Sequence, residues 1–206
     1  MVYKNLFYRF IFSFLLLFLY FLTLKSSYFL FALATSIYLI IIYESFTSFK
    51  KYLNLIILYL LFSYLCFCIY FLKFFDIYFF NIFIISIIIL DSFSYFVGLL
   101  FGRKYIFKKI SPKKTLEGYI GGFFFTNIIL VVYFLSLKGS FYILQEIILI
   151  NFIILFSIFG DLIQSFFKRK NNIKDSSTYL PGHGGFFDRF DSFISSIIFL
   201  LLYSFL

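Results

Sequence analysis

A polar run interrupts an otherwise apolar chain: Ser165, Lys168 and Arg169, then Lys174 and Asp175, then Leu180-Pro181-Gly182-His183-Gly184-Gly185, and finally Asp188, Arg189 and Asp191. Charge at or near membrane depth is expensive and usually faces a polar interior or water. Carboxylates can hold a metal, lysine and arginine can hold phosphate oxygens, and a glycine-rich turn brings backbone N–H groups close to an anion. These are the parts of a phosphate-handling site at a membrane surface. Asp161, Gln164, Ser165 and Lys168 share one helix face, and Asp188, Asp191, Ser192, Ser195 and Ser196 share another. Two carboxylates on adjacent helix ends suit a hard, oxygen-preferring cation such as Mg²⁺. His183 serves either as a phosphate donor or as a hydrogen-bonded loop residue, and the sequence leaves both readings open.

Two further constellations lie upstream. Asp91, Ser94, Tyr95, Gly98 and Gly102 fall on one helix face. A carboxylate this deep in an apolar span should face the bundle interior, while Gly98 and Gly102 form a small-xxx-small pair that permits close helix contact. The second is Ser111-Pro112-Lys113-Lys114-Thr115-Leu116-Glu117-Gly118, followed by Gly121 and Gly122. Pro112 suits the first turn of a helix. Lysines there can grip phosphate oxygens beside helix N–H donors, or can simply mark a positively charged loop. Neither G-x-x-x-x-G-K-[ST] nor G-x-G-x-x-G occurs. With one histidine in the chain, zinc chemistry is not expected. Cys66 and Cys68 are two apart and do not share a helix face, so neither a disulfide nor a metal pair is expected.

The elements that must position these residues are membrane helices. The 206 residues are 63% hydrophobic with a mean hydropathy of +1.03, too apolar for a water-facing surface. The expected fold is all-α, a polytopic integral membrane protein of about seven transmembrane helices, at 6–24, 28–43, 55–72, 77–101, 119–137, 146–164 and 190–206. It reads as a single domain over 1–206, with apolar helices in 1–75 and the chemistry in 76–206. The first stretch lacks an A-x-A cleavage pattern and reads as an uncleaved helix. Fourteen of the 18 basic residues fall on alternate connections: Lys4 and Arg9; Lys50 and Lys51; Arg103, Lys104, Lys108, Lys109, Lys113 and Lys114; Lys168, Arg169, Lys170 and Lys174. The positive-inside rule puts all of these on the cytoplasmic face.

The segment from Ser165 to Asp191 resembles the signature of phosphatidate cytidylyltransferases: Ser165-x-Phe167-Lys168-Arg169, Lys174-Asp175, Ser177, Leu180-Pro181-x-His183-Gly184-Gly185-Phe186-x-Asp188-Arg189-Phe190-Asp191. Gly160-Asp161, the Ser111–Gly118 block and the Asp91 to Arg103 stretch are similar to the same family, in the family's order. Gln164 stands where the family usually has glutamate, Ser177 where glycine is commoner and Ser94 where alanine is. The chain is short for the family, which implies fewer N-terminal spans.

The resemblance implies the reaction CTP + phosphatidate → CDP-diacylglycerol + pyrophosphate, a step of phospholipid biosynthesis. It implies catalytic roles for Asp161, Lys168, Arg169, Lys174, Asp175, His183, Asp188, Arg189 and Asp191, and substrate binding by Asp91, Ser111, Lys113, Lys114, Thr115, Ser165, Gly184 and Gly185. It implies Mg²⁺ held by Asp161 and Asp188 with K⁺ beside it, CTP, phosphatidate and membrane lipid as partners, no nucleic acid, a homodimer, and an inner (plasma) membrane location with the site facing the cytoplasm. The physics agrees: a phosphomonoester with a second pKa of about 6 is already largely dianionic and needs no strong base. The task is to bring two anions together and neutralise the leaving group. Three other readings compete. An ion path through Asp91 and Asp161 leaves the clustered Lys-Arg, Lys-Asp and His-Gly-Gly unexplained. The others are a decayed relative and an enzyme acting on a different lipid phosphate.

Overall fold

The computed structural model describes residues 14–15, 18–107, 109–112, 114–138, 143–180 and 184–205. The described residues are almost entirely helical. A segment at 18–25 leads into six helices: α1 (Ser27–Ser48), α2 (Leu53–Lys73), α3 (Ile77–Phe101), α4 (Leu116–Lys138), α5 (Ile143–Lys170) and α6 (Phe187–Tyr203). The first five are long and apolar enough to cross a membrane, because lipid forces a spanning segment to satisfy its own backbone. The chain is thus an all-α, multi-pass membrane protein. The helix expected at 28–43 runs on to Ser48, and at 22 residues is of spanning length.

Local chemistry sets the helix starts. Ser26 accepts from the N–H of Phe29 at 3.4 Å, and Asp76 accepts from Tyr78 and Phe79 at 2.6 and 3.3 Å. The helix expected at 119–137 opens at Leu116, so Pro112 lies before its first turn. There Thr115 Oγ1 takes the N–H of Gly118 at 3.2 Å, and the Leu116 N–H goes to the Lys104 carbonyl at 2.8 Å. Glu117 reaches back to the N–H groups of Arg103 (3.0 Å) and Lys104 (3.1 Å). The start of α4 is therefore tied to the segment that follows α3.

α3 packs chiefly on α4, α5 on α6, and α6 also on α2. Gly98 of α3 meets Gly118 of α4, where a Cβ on Gly118 would lie 3.2 Å from Gly98 Cα. A Cβ at Gly118 would lie 2.7 Å from the Ser94 carbonyl oxygen, and one at Gly98 would lie 3.2 Å from Thr115 Oγ1. Phe67, Phe83, Phe187, Ile194 and Ile197 are buried in the main core. α6 turns its hydroxyl face inward. Ser196 meets Ser157 at 3.1 Å, and Ser63 of α2 donates to the Ile194 carbonyl at 2.5 Å.

Three basic loops share one end of the bundle. Arg169 Nε donates to the Ile110 carbonyl at 3.1 Å. Asn171 Oδ1 accepts from the backbone N–H groups of Lys50 and Lys51 at 2.9 and 2.7 Å. These contacts match the alternation of charge along the sequence.

Candidate active site

At that end α3, α4, α5 and α6 enclose a cavity of about 600 Å³. Asp91, Ser94, Tyr95, Gly98 and Leu99 come from α3, and Lys114, Thr115, Gly118 and Tyr119 come from α4 and the loop before it. Asp161 and Ser157 come from α5, and Asp188, Arg189, Asp191 and Ser192 from α6. All three polar constellations of the sequence thus reach one space. The glycine contacts explain how: with only hydrogens between them, α3 and α4 approach closely enough to set Asp91 opposite Lys114 and Asp161.

Two ion pairs tie the charges of the cavity together. Lys114 Nζ lies 2.5 Å from Asp161 Oδ2, and Lys168 Nζ lies 2.7 Å from Asp188 Oδ1. Partial burial disfavours the Lys114 ammonium. The Asp161 carboxylate outweighs that, with help from Tyr119, Asp91 and Asp191, and holds the lysine above its ordinary range. Lys114 therefore keeps its charge at neutral pH.

Asp188 is the most heavily engaged carboxylate. Its Oδ1 accepts from Gln164 Nε2 (2.5 Å) and Lys168, and its Oδ2 from Ser176 N (2.8 Å), Ser176 Oγ (3.0 Å) and Gly185 N (3.1 Å). It joins the end of α5, the 171–180 loop and the start of α6 in one network. Gly184 has φ +85°, a left-handed conformation that a side chain would strain, and a Cβ there would lie 2.7 Å from Asp188 Oδ2.

The other expected residues surround this cluster without lining it. Ser111 and Ser165 are buried. Arg169 bridges the Ile110 and Ile173 carbonyls at 3.1 and 3.3 Å. Lys174 and Asp175 are exposed on the 171–180 loop, and a Cβ on Gly184 would lie 3.3 Å from Asp175 Cβ. Lys113 and His183 lie outside the described residues.

Sequence reasoning passed over four participants: Ser176, Tyr119, Ser157 and Glu44. Glu44 is fully buried near the end of α1, and its Oε2 accepts from the N–H groups of Phe186 (2.8 Å) and Phe187 (3.3 Å). The available signal was a lone carboxylate at the edge of an apolar span.

The donor set fits a hard divalent cation. Oxygens of Asp161, Asp188 and Asp191 line the cavity, and Gln164 Oε1 is buried beside Asp188 without a hydrogen-bond partner. Among the described residues no three His, Cys, Asp or Glu side chains form a ready metal cage. Mg²⁺ commonly binds through one or two carboxylates and is completed by water and substrate phosphate.

A family model described as the cytidylyltransferase family matches residues 2–206. The chain belongs to that family. Its curated relatives include phosphatidate cytidylyltransferases. The one from Aquifex aeolicus is 42% identical over 108 residues, 52% of this chain and 40% of the relative. The one from Staphylococcus aureus (strain COL) is 43% identical over 108 residues, 52% of this chain and 41% of the relative. The one from Haemophilus influenzae is 40% identical over 120 residues, 56% of this chain and 41% of the relative. The chain thus spans about two fifths of the length of the relatives it matches.

Proposed function

We propose that the chain is a CTP:phosphatidate cytidylyltransferase. One observation carries the reading. A single cavity joins the basic end of the bundle to its lipid-facing flank, where the lining residues Tyr95 and Leu99 are each 67% exposed. A phosphorylated lipid head group can enter there while its acyl chains stay in the bilayer, and a nucleotide can enter from the basic end. The names of the relatives at 40–43% identity support the choice of substrates.

In this reading a phosphate oxygen of phosphatidate attacks the α-phosphorus of CTP. The bond from the α-phosphorus to the bridging oxygen breaks, and pyrophosphate leaves with the electron pair. Asp161 and Asp188 would hold Mg²⁺, which when bound supplies charge neutralisation at the phosphates. Lys114, Lys168 and Arg189 neutralise and orient the phosphate groups, and the Gly185 N–H is held by Asp188. Asp91 and Asp191 favour the charged form of Lys114 beside Asp161. No general base is required, since the attacking phosphate is already ionised. K⁺ beside the divalent ion belongs to the same reading, with Gln164 Oε1 as a candidate ligand.

The site faces the cytoplasm of an inner (plasma) membrane in this proposal, because the three basic loops lie at its end of the bundle. Homodimer formation is carried by the family resemblance alone, and the mass of the detergent-solubilised particle tests it. Incubating membranes that contain the protein with labelled CTP and phosphatidate tests the reaction. A liponucleotide product is expected. Its absence, or its formation only with another lipid phosphate, would overturn the assignment.

A further inference from the structure

We infer that Glu44 is a positioning residue for the reaction: it fixes the peptide groups that set Asp188 in place, from a helix at the opposite end of the sequence. The inference rests on the proposed cytidylyl transfer for its kinetic consequence only.

The first N–H groups of any helix have no partner within it. At the start of α6 the side chain of the cap residue Phe186 makes no capping hydrogen bond. Glu44 supplies the partner instead, with Oε2 accepting from Phe186 N at 2.8 Å and Phe187 N at 3.3 Å. A carboxylate at a helix N-terminus also meets the favourable end of the helix dipole. The next residue is Asp188, which in turn holds the N–H groups of Gly185 and Ser176. Two carboxylates, the buried Glu44 and the half-buried Asp188, therefore divide the backbone donors of the 185–187 turn between them. Gly185 leaves the room this requires, since a Cβ there would collide with Glu44 Oε1 and Ser176 Oγ.

Glu44 is itself held from both sides. The 49–52 turn that follows α1 is tied to the end of α5 by Asn171, whose Nδ2 donates to the Lys51 carbonyl at 3.0 Å and the Phe167 carbonyl at 3.0 Å. Phe49 is buried edge-on against Phe187, with ring centroids 6.0 Å apart. The hairpin of α1 and α2 thus braces the turn that carries Asp188, without lining the cavity.

The test uses the full chain in detergent, with two readouts: steady-state kinetics and amide hydrogen exchange of the 184–188 segment. Glu44→Leu is expected to lower kcat by about tenfold or more, leave KM for CTP within about threefold, and speed exchange of the Phe186 and Phe187 amides. Glu44→Gln retains an oxygen that can accept both N–H groups and is expected to restore both readouts. Ser63→Ala removes buried bonds to Tyr38 and the Ile194 carbonyl and serves as the control for general destabilisation; it should move neither readout. Unchanged exchange in Glu44→Leu, or an equal kcat loss in Ser63→Ala, would overturn the inference. Should Glu44→Leu fail to fold, Glu44→Asp, shorter by one methylene, is read in the same assays with the same criteria. If the wild type makes no liponucleotide, the proposed reaction falls, while the exchange data still decide the brace.

Discussion

Asp188→Asn tests the centre of the site. The carboxylate accepts five hydrogen bonds, three on Oδ2 and two on Oδ1. An asparagine keeps one acceptor oxygen. Its NH₂ must face either Gln164 and Lys168 or Ser176 and Gly185, all of which donate to the carboxylate. The Lys168 ammonium, whose side chain is 13% exposed, loses its carboxylate partner. Breaking a buried ion pair on one side costs about 3–5 kcal/mol. The lower figure lowers the melting temperature by about 6–12 °C for a chain of this size. Turnover should fall below about a tenth of wild type, equivalent to more than about 1.4 kcal/mol of barrier. Thermal unfolding in detergent and liponucleotide synthesis measure the two effects. An unchanged melting temperature would refute the hydrogen-bond argument, and retention of more than a tenth of the activity would remove Asp188 from the metal and phosphate machinery.

Other perturbations separate packing from chemistry. Gly118→Val drives a side chain into the Ser94 carbonyl across the α3–α4 contact and should destabilise the protein by about 1–3 kcal/mol, read by thermal unfolding; wild-type stability would contradict the close approach. Lys114→Met removes the partner of Asp161 and should raise KM for CTP or phosphatidate. Unchanged kinetics for both would reduce that lysine to a topology signal. Arg169→Lys cannot reproduce the two-loop bridge to Ile110 and Ile173 and should impair turnover despite its retained charge, whereas full activity would show that charge alone suffices. A cysteine at Asn172 should resist an impermeant reagent added to whole cells, and labelling from outside would reverse the proposed orientation.

Hydropathy alone made the helices legible, because a span must be long and apolar. Their ends were less so. α5 continues through Lys168, Arg169 and Lys170, where falling hydropathy suggests an exit, because cations suit a helix C-terminus. The start at Leu116 was hidden because it depends on the Lys104 carbonyl, on the other arm of the loop. Helical spacing found the polar faces of α3, α5 and α6, since the period is local. It did not show that Gly98 of α3 meets Gly118 of α4, nor that Lys114 meets Asp161. The role of Glu44 was hidden for the same reason: its partner Phe186 is 142 residues away, and a lone carboxylate at the edge of an apolar span does not say what it meets.

The most direct test of cytidylyl transfer follows the phosphorus atoms of CTP. Purified protein in lipid vesicles containing phosphatidate, supplied with Mg²⁺, receives CTP labelled at either the α- or the γ-phosphate. The account predicts α-label in the lipid fraction as CDP-diacylglycerol and γ-label in pyrophosphate, both lost in the Asp161→Asn variant. Folded wild-type protein that leaves the α-label in water, or carries the γ-label into lipid, would contradict it.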